Sequence, residues 1–387
     1  MNRIYCDHNS TTPLDPRALE AMLPYLAQTY GNASSMHAIG QAARAGLEQS
    51  REKIASLLNC RPDELYFTAG ATESANLAIK GVAEMLANKG RHIITSKVEH
   101  QAVLEPCKYL ERHDYEITYL NVDAHGYVNS GDLRDAIRPD TILVSIIFAN
   151  NEVGTIQDIR QLAQIARERN VYFHTDATQA VGKMPVDSRD LGVDLLSASA
   201  HKFYGPKGIG IHFARVGTRF TPLIHGGAHE RGKRAGTEDV AAAVGMARAL
   251  ELSLSELEAN TVHLRRLSDR LSGGILETIP DARPHGDTVN GLPGTLFFTF
   301  PGCDGEAIIV SLDMAGIAVS SGSACTSGAT EPSHVLLAMG VSRQEASSAI
   351  RFSLGKQNTE AEVDFVLATL PPIVERLRKM SPQYAGR

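Results

Sequence analysis

Three side chains that could do chemistry stand directly after short apolar runs of the sequence. Asp176 follows VYFHT, and Lys202 follows VDLLSASAH. Thr72 stands in TAGATESAN, in a turn of small residues before a helix that we expect to begin near Glu73. A lysine held at a dry strand end can lose its proton and form a Schiff base. Free N–H groups at a helix start, beside a hydroxyl, suit a phosphate.

Each of these residues also has an ordinary structural role open to it. Thr72 could be a helix N-cap, Asp176 could cap the next helix, and Lys202 could be a solvated surface charge. Together they match the needs of pyridoxal phosphate, which requires an anchored phosphate, a protonated ring nitrogen and an aldehyde held as an imine. The glycines between Gly205 and Gly210 follow the lysine and do not form the dinucleotide fingerprint, so a nicotinamide cofactor is not favoured.

A thiol, Cys325, stands among small residues in SSGSACTSG, between the apolar segments GIAVS and SHVLLAMG. This pattern predicts a loop between a strand and a helix, and a loop without bulky anchors could swing the thiol. The chain has five cysteines and no C-x-x-C pair, which favours reduced thiols over disulfides or a zinc site. Cys303 is the nearest rival, but its acidic neighbour would raise its pKa.

The elements that must position these groups alternate between residues 65 and 215, where short β-rich runs are separated by helical patterns. This rhythm predicts a mostly parallel sheet covered by helices on both faces, with ligands beyond the carboxyl ends of the strands. A long helical stretch around residues 238–275 then leads into a different α+β pattern. We expect a large domain over residues 14–258 and a small domain formed by residues 1–13 and 259–387.

Composition narrows the classes of protein. The chain has 387 residues, 43% of them hydrophobic, and a formal net charge of -6 without blocks of Lys or Arg. These values predict a compact protein with no nucleic-acid or anionic-membrane partner. The longest apolar run, residues 142–149, is too short to cross a bilayer, and the first ten residues have no signal-peptide core, so we expect a cytoplasmic protein.

The sequence as a whole resembles the NifS/IscS-type cysteine desulfurases, a branch of the fold-type-I pyridoxal-phosphate enzymes. The likeness runs almost end to end and is carried by YCDHNSTTPLDP, GNASSMHAIG, TAGATESANLAIKG, VEHQAV, ANNEVGTIQDI, HTDATQAVGK, SAHKFYGPKGIG, GGAHERGKRAGTED, SSGSACTSG and IRFSLG. It implies a seven-stranded, mainly parallel sheet, a homodimer, L-cysteine as substrate, and an iron–sulfur scaffold protein as sulfur acceptor.

The resemblance also implies which residues hold the cofactor. Lys202 would be the Schiff-base lysine, and Asp176 would pair with the pyridine nitrogen. The phenolic-oxygen side of the ring would meet Gln179 and Asn151, with His100 stacked on the ring. The residues implied for the phosphate are Ala71, Thr72, Ser199, His201 and, from the other subunit, Thr237.

Five residues are implied in the reaction itself. Lys202 would act through its Schiff base and His100 would move protons. Arg351 would grip the substrate carboxylate as a bidentate fork, and Asn151 would also contact the substrate. Cys325 would attack the sulfur of the substrate and retain it as a persulfide, so that alanine is released. This role explains why a thiol stands in that loop. Asn151, His100 and Arg351 each keep a structural alternative.

The chain departs from its relatives in places. His8 stands in a motif that usually reads D-N-N-A-T-T or D-Y-S-A-T-T, and Ala33 replaces a frequent proline. We expect His8 to alter packing near the cofactor. The end LRKMSPQYAGR lacks the longer tail of housekeeping members and resembles the nitrogen-fixation type. A selenocysteine lyase, an aminotransferase of the same fold, and a sulfur-relay protein without catalysis remain open as alternatives.

Overall fold

Strands and helices alternate along most of the chain in the computed structural model, which describes residues 3–322 and 331–381. In this described part the strands are β1 (Ile4–Tyr5), β2 (Leu65–Thr68), β3 (His92–Ser96), β4 (Glu116–Leu120), β5 (Thr141–Ile147), β6 (Tyr172–Asp176), β7 (Leu195–Ser199), β8 (Gly210–Ala214), β9 (Arg283–His285), β10 (Thr295–Thr299), β11 (Ile317–Ala318) and β12 (Ala349–Ser353).

The helices surround these strands. They are α1 (Pro16–Ala27), α2 (Ala38–Leu57), α3 (Ala71–Met85), α4 (Gln101–Glu111), α5 (Ser130–Ala136), α6 (Ile159–Glu168), α7 (Ser188–Leu191), α8 (Val240–Ser255), α9 (Leu257–Thr278), α10 (Gly305–Met314), α11 (His334–Ala338), α12 (Arg343–Ala346) and α13 (Glu360–Met380), with 3₁₀ turns at Pro62–Glu64, Ala200–Lys202 and Glu230–Gly232. Over the described ranges, no helix is both long and apolar enough to span a membrane.

The largest sheet has seven strands in the order β2-β8-β7-β6-β5-β3-β4. Only β8 runs against its neighbours, β7 and β2, and the other pairings are parallel. Every residue of β3, β5, β7 and β8 is buried, as a sheet covered by helices on both faces requires. The predicted mainly parallel sheet is therefore confirmed, and the carboxyl ends of its parallel strands meet at one edge.

A second region contains the sheet β12-β10-β9, and β1 pairs with β11. Its apolar core joins Ile4 and Cys6 to residues from α9, α10, β10, β12 and α13. The N-terminal residues thus pack with the C-terminal part of the chain, which supports the predicted division into residues 14–258 and residues 1–13 with 259–387. That division stays a prediction.

The helical stretch predicted around residues 238–275 is present, and it is divided into two helices. α8 ends at Ser255, and α9 begins at Leu257. Between them Glu256 pairs with Arg17 at 2.7 Å and with Lys356 at 3.0 Å. These long-range ion pairs mark the place where the chain leaves the first region and enters the second.

Candidate active site

A cavity of about 650 Å³ opens at the carboxyl ends of the parallel strands. Strands β5, β6 and β7 end there, and the turns after β2 and β3 lead there into α3 and α4. Ten of the residues implied by the sequence line it: Ala71, Thr72, His100, Asn151, Asp176, Gln179, Ser199, His201, Lys202 and Arg351.

One end of the cavity is the N-terminus of α3. The N-cap is Gly70, with φ of 151°, and no side chain among the described residues caps the helix there. A side chain at Gly210 on β8 would collide with Gly70, since an added Cβ would lie 2.7 Å from its Cα. The helix begins at Ala71 rather than near Glu73, so Thr72 is not its N-cap. The first N–H groups of α3 are therefore available to an anion.

Lys202 lies in the 3₁₀ turn that directly follows β7, beside buried Ser199. Its Nζ donates to the backbone carbonyls of Asn9 and Ser10, each at 2.7 Å. Burial and the nearby charge of Arg351 lower the pKa of Lys202 to about 8, although Asp176 and Asp7 act in the opposite direction. About a tenth of the amine is thus in the neutral form needed for covalent chemistry at pH 7, far more than for an ordinary lysine.

Asp176, the last residue of β6, is 3% exposed. One of its carboxylate oxygens accepts from the backbone N–H of Thr178 at 3.0 Å, so it also supports the following turn, but it caps no helix, since the next one is α7 with Asp187 as its N-cap. Thr178 lines the cavity, and its buried Oγ1 has no partner among the described residues. A buried hydroxyl without a protein partner can form a hydrogen bond with a ligand atom.

His100 caps α4, with its Nδ1 accepting from the backbone N–H of Ala102 at 3.1 Å. Burial lowers the pKa of His100, with Asp176 acting in the opposite direction. A neutral ring whose Nδ1 accepts must carry its proton on Nε2. His100 therefore serves both as the cap of α4 and as a neutral imidazole on the cavity wall. His201, the other imidazole of the wall, has its pKa lowered by burial to about 4.

Arg351 comes from β12 in the second sheet and is 3% exposed. Its Nη2 donates to Asp7 and to the Ser10 hydroxyl, each at 2.8 Å, and its Nη1 donates to the carbonyl of Asn151 at 3.0 Å. Its buried Nε has no partner within the described chain. The guanidinium is thus oriented by the wall, and two of its five N–H donors, on Nε and Nη1, remain unused among the described residues.

Sequence reasoning missed the wall formed by Asn9, Ser10 and Thr11, which also line the cavity. The Asn9 carbonyl accepts from Lys202, and also from Gln179 Nε2 at 2.9 Å. These three residues stand in the motif DHNSTT, in which only the unusual His8 was predicted to affect the site. Buried His8 is not among the described residues that line the cavity, and its ring packs edge-on against Tyr5.

Two predicted residues are not among those described as lining the cavity. Thr237 is exposed and is absent from the described lining. Cys325 lies outside the described residues, although Gly322, three positions before it, lines the cavity. Burial raises the pKa of the other thiols, to about 12 for Cys6 and Cys60, and also for Cys107 and Cys303, which argues against their acting as nucleophiles.

Comparison with known proteins identifies the family. The model of the class-V aminotransferases matches residues 4–366. The chain belongs to the class-V aminotransferase family. Within it, the cysteine desulfurase IscS of Dictyoglomus turgidum is 50% identical over 98% of this chain and 96% of its own length. The cysteine desulfurase IscS of Methanosarcina thermophila is 48% identical over 98% and 94%.

Solved structures of this family agree with the fold. One NifS-like protein superposes with a TM-score of 0.91 at 42% identity, covering 97% of this chain and all of its own. The predicted family and the predicted fold-type-I architecture are both confirmed.

Proposed function

We propose that this chain is a pyridoxal-phosphate-dependent cysteine desulfurase that converts L-cysteine to L-alanine and passes the sulfur on for iron–sulfur cluster assembly. The single observation that carries the proposal is that ten residues from the family motifs line one cavity. The enzyme class predicted from the sequence is confirmed by relatives named cysteine desulfurase over nearly the whole chain.

The cavity fits the cofactor. Its volume lies within the range of small-molecule sites, and its wall holds an uncapped helix N-terminus, a buried carboxylate and a lysine of lowered pKa. The phosphate would bind Ala71 and Thr72 at the start of α3, together with Ser199 and His201. Asp176 would pair with the ring nitrogen, and Lys202 would hold the aldehyde carbon. When bound, pyridoxal phosphate supplies an electron sink next to the substrate amine.

The substrate would be held from the opposite wall. Arg351 would bind its carboxylate, and that carboxylate would have to compete with Asp7 and Ser10 for the guanidinium. Asn151, whose carbonyl already accepts from Arg351, would contact both substrate and ring. The buried ion pair with Asp7 keeps the guanidinium in place before the substrate arrives, so less ordering is needed on binding.

Two groups on the strand-end wall can move protons. Lys202, with a pKa of about 8, can accept a proton from the substrate carbon at neutral pH. His100, held neutral by burial, has a proton on Nε2 to give and can take another. The pair therefore provides a base and an acid at the same wall of the cavity.

Sulfur transfer would use Cys325. Its thiolate would form a bond to the substrate sulfur while the bond between that sulfur and Cβ breaks. The electron pair of the broken bond stays with the three-carbon fragment, which takes up a proton and leaves as alanine. The sulfur remains on Cys325 as a persulfide, ready for an acceptor protein.

A homodimer is part of the proposal, because Thr237 would complete the phosphate site from the other subunit. An exposed apolar surface over α1, α2 and the loop between them supports a second copy of this chain as its partner. Its side chains are 42–90% exposed: Leu19, Leu23, Leu26, Tyr30, Met36 and Ile39. Sedimentation of the purified protein should therefore give twice the chain mass, and Thr237→Val should weaken cofactor binding without changing that mass.

The proposed activity is tested by product analysis. Purified protein given pyridoxal phosphate should show an absorption band near about 400–430 nm. With L-cysteine and a thiol reductant it should release alanine and sulfide in equal amounts. Cys325→Ser should abolish both, whereas Cys303→Ser, which changes a half-buried thiol of raised pKa, should retain them.

Three results would count against the proposal. Sulfide release at the parental rate by Cys325→Ser would exclude the persulfide step and favour a lyase. 3-Mercaptopyruvate in place of alanine, with no sulfide released, would favour an aminotransferase. A protein that never develops the absorption band would not be a pyridoxal-phosphate enzyme.

A further inference from the structure

Lys183 closes the motif HTDATQAVGK and has no role in the reaction described above. Its Nζ donates to the side-chain oxygen of Gln179 at 2.5 Å and to Asn9 Oδ1 at 3.0 Å. Lys183 is not among the described residues that line the cavity, whereas both of its partners are. The lysine therefore lies behind the wall and holds two residues that face the ligand.

These contacts fix which way the Gln179 amide points. The Asn9 backbone carbonyl only accepts, so it requires the amide nitrogen at 2.9 Å, and this leaves the amide oxygen to accept from Lys183. One N–H of Gln179 is used on Asn9, and the other remains for the cavity. The amide therefore presents a donor.

The same lysine fixes the segment that receives Lys202. Asn9 accepts from Lys183 with its side chain, donates from that side chain to Asn151 and Thr295, and accepts from Lys202 with its carbonyl. Asn9 is distant in sequence from all of these residues, and its side-chain contacts add to the backbone hydrogen bonds that His8 and Thr12 form with Ser353 and His201. Lys183 is one of the residues that join this segment to the turn after β6.

We propose that Lys183 is a positioning residue that holds Gln179 as a hydrogen-bond donor, and Asn9 in place, at the oxygen side of the cofactor ring. The inference rests on the proposed function, since it needs the cofactor in this cavity. A donor directed at a phenolic oxygen favours the deprotonated oxygen. Lys183 thus acts on the ring through Gln179.

Burial, together with the charges of Lys202 and Arg351, lowers the pKa of Lys183 well below the usual value. The ammonium and the neutral amine both carry N–H donors, so the hydrogen bond to Gln179 does not require the charge. The positioning role therefore rests on the hydrogen bonds of Lys183.

The test is a spectroscopic pH titration of the holoenzyme. In Lys183→Met the side chain keeps its length but loses its donors, so the pH midpoint of the cofactor absorption change should rise by about one unit. The dissociation constant for pyridoxal phosphate should rise about tenfold. Lys183→Arg, which keeps the donors, should restore a midpoint closer to that of the parent.

Lys356→Met is the matched control. Lys356 is also a partly buried lysine with two oxygen partners, Asp15 and Glu256. When Lys356 is replaced, both carboxylates retain their ion pairs with Arg17. Its removal should leave the midpoint unchanged, even where it lowers the melting temperature. If Lys183→Met does not fold, Lys183→Leu, which also lacks a donor, carries the same expectation.

A midpoint and a cofactor affinity in Lys183→Met equal to those of Lys356→Met would overturn the inference, because Lys183 would then be only a packing residue. This outcome is distinct from failure of the proposed function. If the parent protein shows no absorption band with pyridoxal phosphate, the function is wrong. If the parent shows the band and its midpoint does not depend on Lys183, only the inference is wrong.

Discussion

The two walls of the cavity are built in different ways. One wall consists of residues at strand ends and in the turns that follow them, such as Asp176 and Lys202. The other wall joins Asn9, Ser10 and Thr11 to Arg351 of β12, which belongs to another sheet. The strand-end wall carries the covalent and proton chemistry, and the second wall carries the contacts that orient the lysine and would hold the substrate.

This difference has a physical basis. Strand ends in a parallel sheet are held by buried backbone pairing on both sides, so their side chains are rigid without further support. The second wall has only isolated backbone hydrogen bonds between its described segments, such as that from His8 to Ser353, and relies in addition on side-chain contacts between distant segments, such as the ion pair of Asp7 with Arg351 at 2.8 Å. Changes in the strand-end wall should therefore affect the chemical step, and changes in the other wall should affect binding.

The largest effect is expected in the strand-end wall. Lys202 is both the group proposed to bond the cofactor and the proposed base. Turnover in Lys202→Ala should therefore fall by about 10³-fold or more. The absorption band near about 400–430 nm should shift to that of free cofactor. Exposed Lys89, changed to Ala, is the control and should keep both. Retention of a tenth of the activity by Lys202→Ala would show that the chemistry is placed elsewhere.

A smaller effect of a different kind is expected in the second wall. Arg351→Gln should raise KM for cysteine by about 10- to 100-fold, since a charge-assisted contact to a carboxylate contributes about 1.5–3 kcal/mol. The value of kcat should change much less, because the contact is present equally in the bound substrate and in the transition state. Steady-state kinetics separates the two constants. A fall in kcat at unchanged KM would remove the distinction between the walls.

The strand-end wall is also the part that could be predicted from the sequence. Asp176, Lys202 and Thr72 each follow an apolar run, so local pattern was enough to place them together, and the family motifs supplied the rest. The wall at Asn9 could not be predicted in this way. Its partners Asn151 and Ser353 are 142 and 344 residues away, and local pattern carries no signal for such pairs.

The break between α8 and α9 was missed for a similar reason. Helix-forming residues continue across it, so local propensity favours one helix. The chain turns at Glu256 because its carboxylate pairs with Arg17 and Lys356, which lie far away in the sequence. Tertiary contacts here outweigh helix propensity, which contributes only tenths of a kcal/mol per residue.

The charge of Arg351, in the second wall, helps to lower the pKa of Lys202, in the strand-end wall. The pH dependence of Lys202 reactivity therefore measures the coupling between the two walls. Since Lys202 has a lowered pKa of about 8, its reactive neutral fraction falls about tenfold for each unit below pH 8 and levels off above it. The rate at which apoprotein takes up pyridoxal phosphate should follow this curve in stopped-flow absorbance. In Arg351→Gln the midpoint should move to higher pH, because a cation that opposes protonation is lost. An unmoved midpoint would mean that the walls act independently.

The smallest effect concerns the sheet that supports the strand-end wall. His174 and His212 lie inside it, and burial lowers the pKa of each to about 3. The unfolded chain binds more protons than the folded one between pH 6.5 and 3, so stability present above pH 6.5 is lost as pH falls, at about 1.4 kcal/mol per unit for each histidine.

Urea unfolding at pH 7, 6 and 5 measures this slope. Neither ring nitrogen of His212 has a partner among the described residues, so His212→Leu should fold and should reduce the slope by up to about 1.4 kcal/mol per unit. Changing exposed His113 to Leu should leave the slope unchanged. An equal dependence of stability on pH in His212→Leu and His113→Leu would mean that His212 can be protonated inside the folded sheet. The rigidity assigned to the strand-end wall would then need another source.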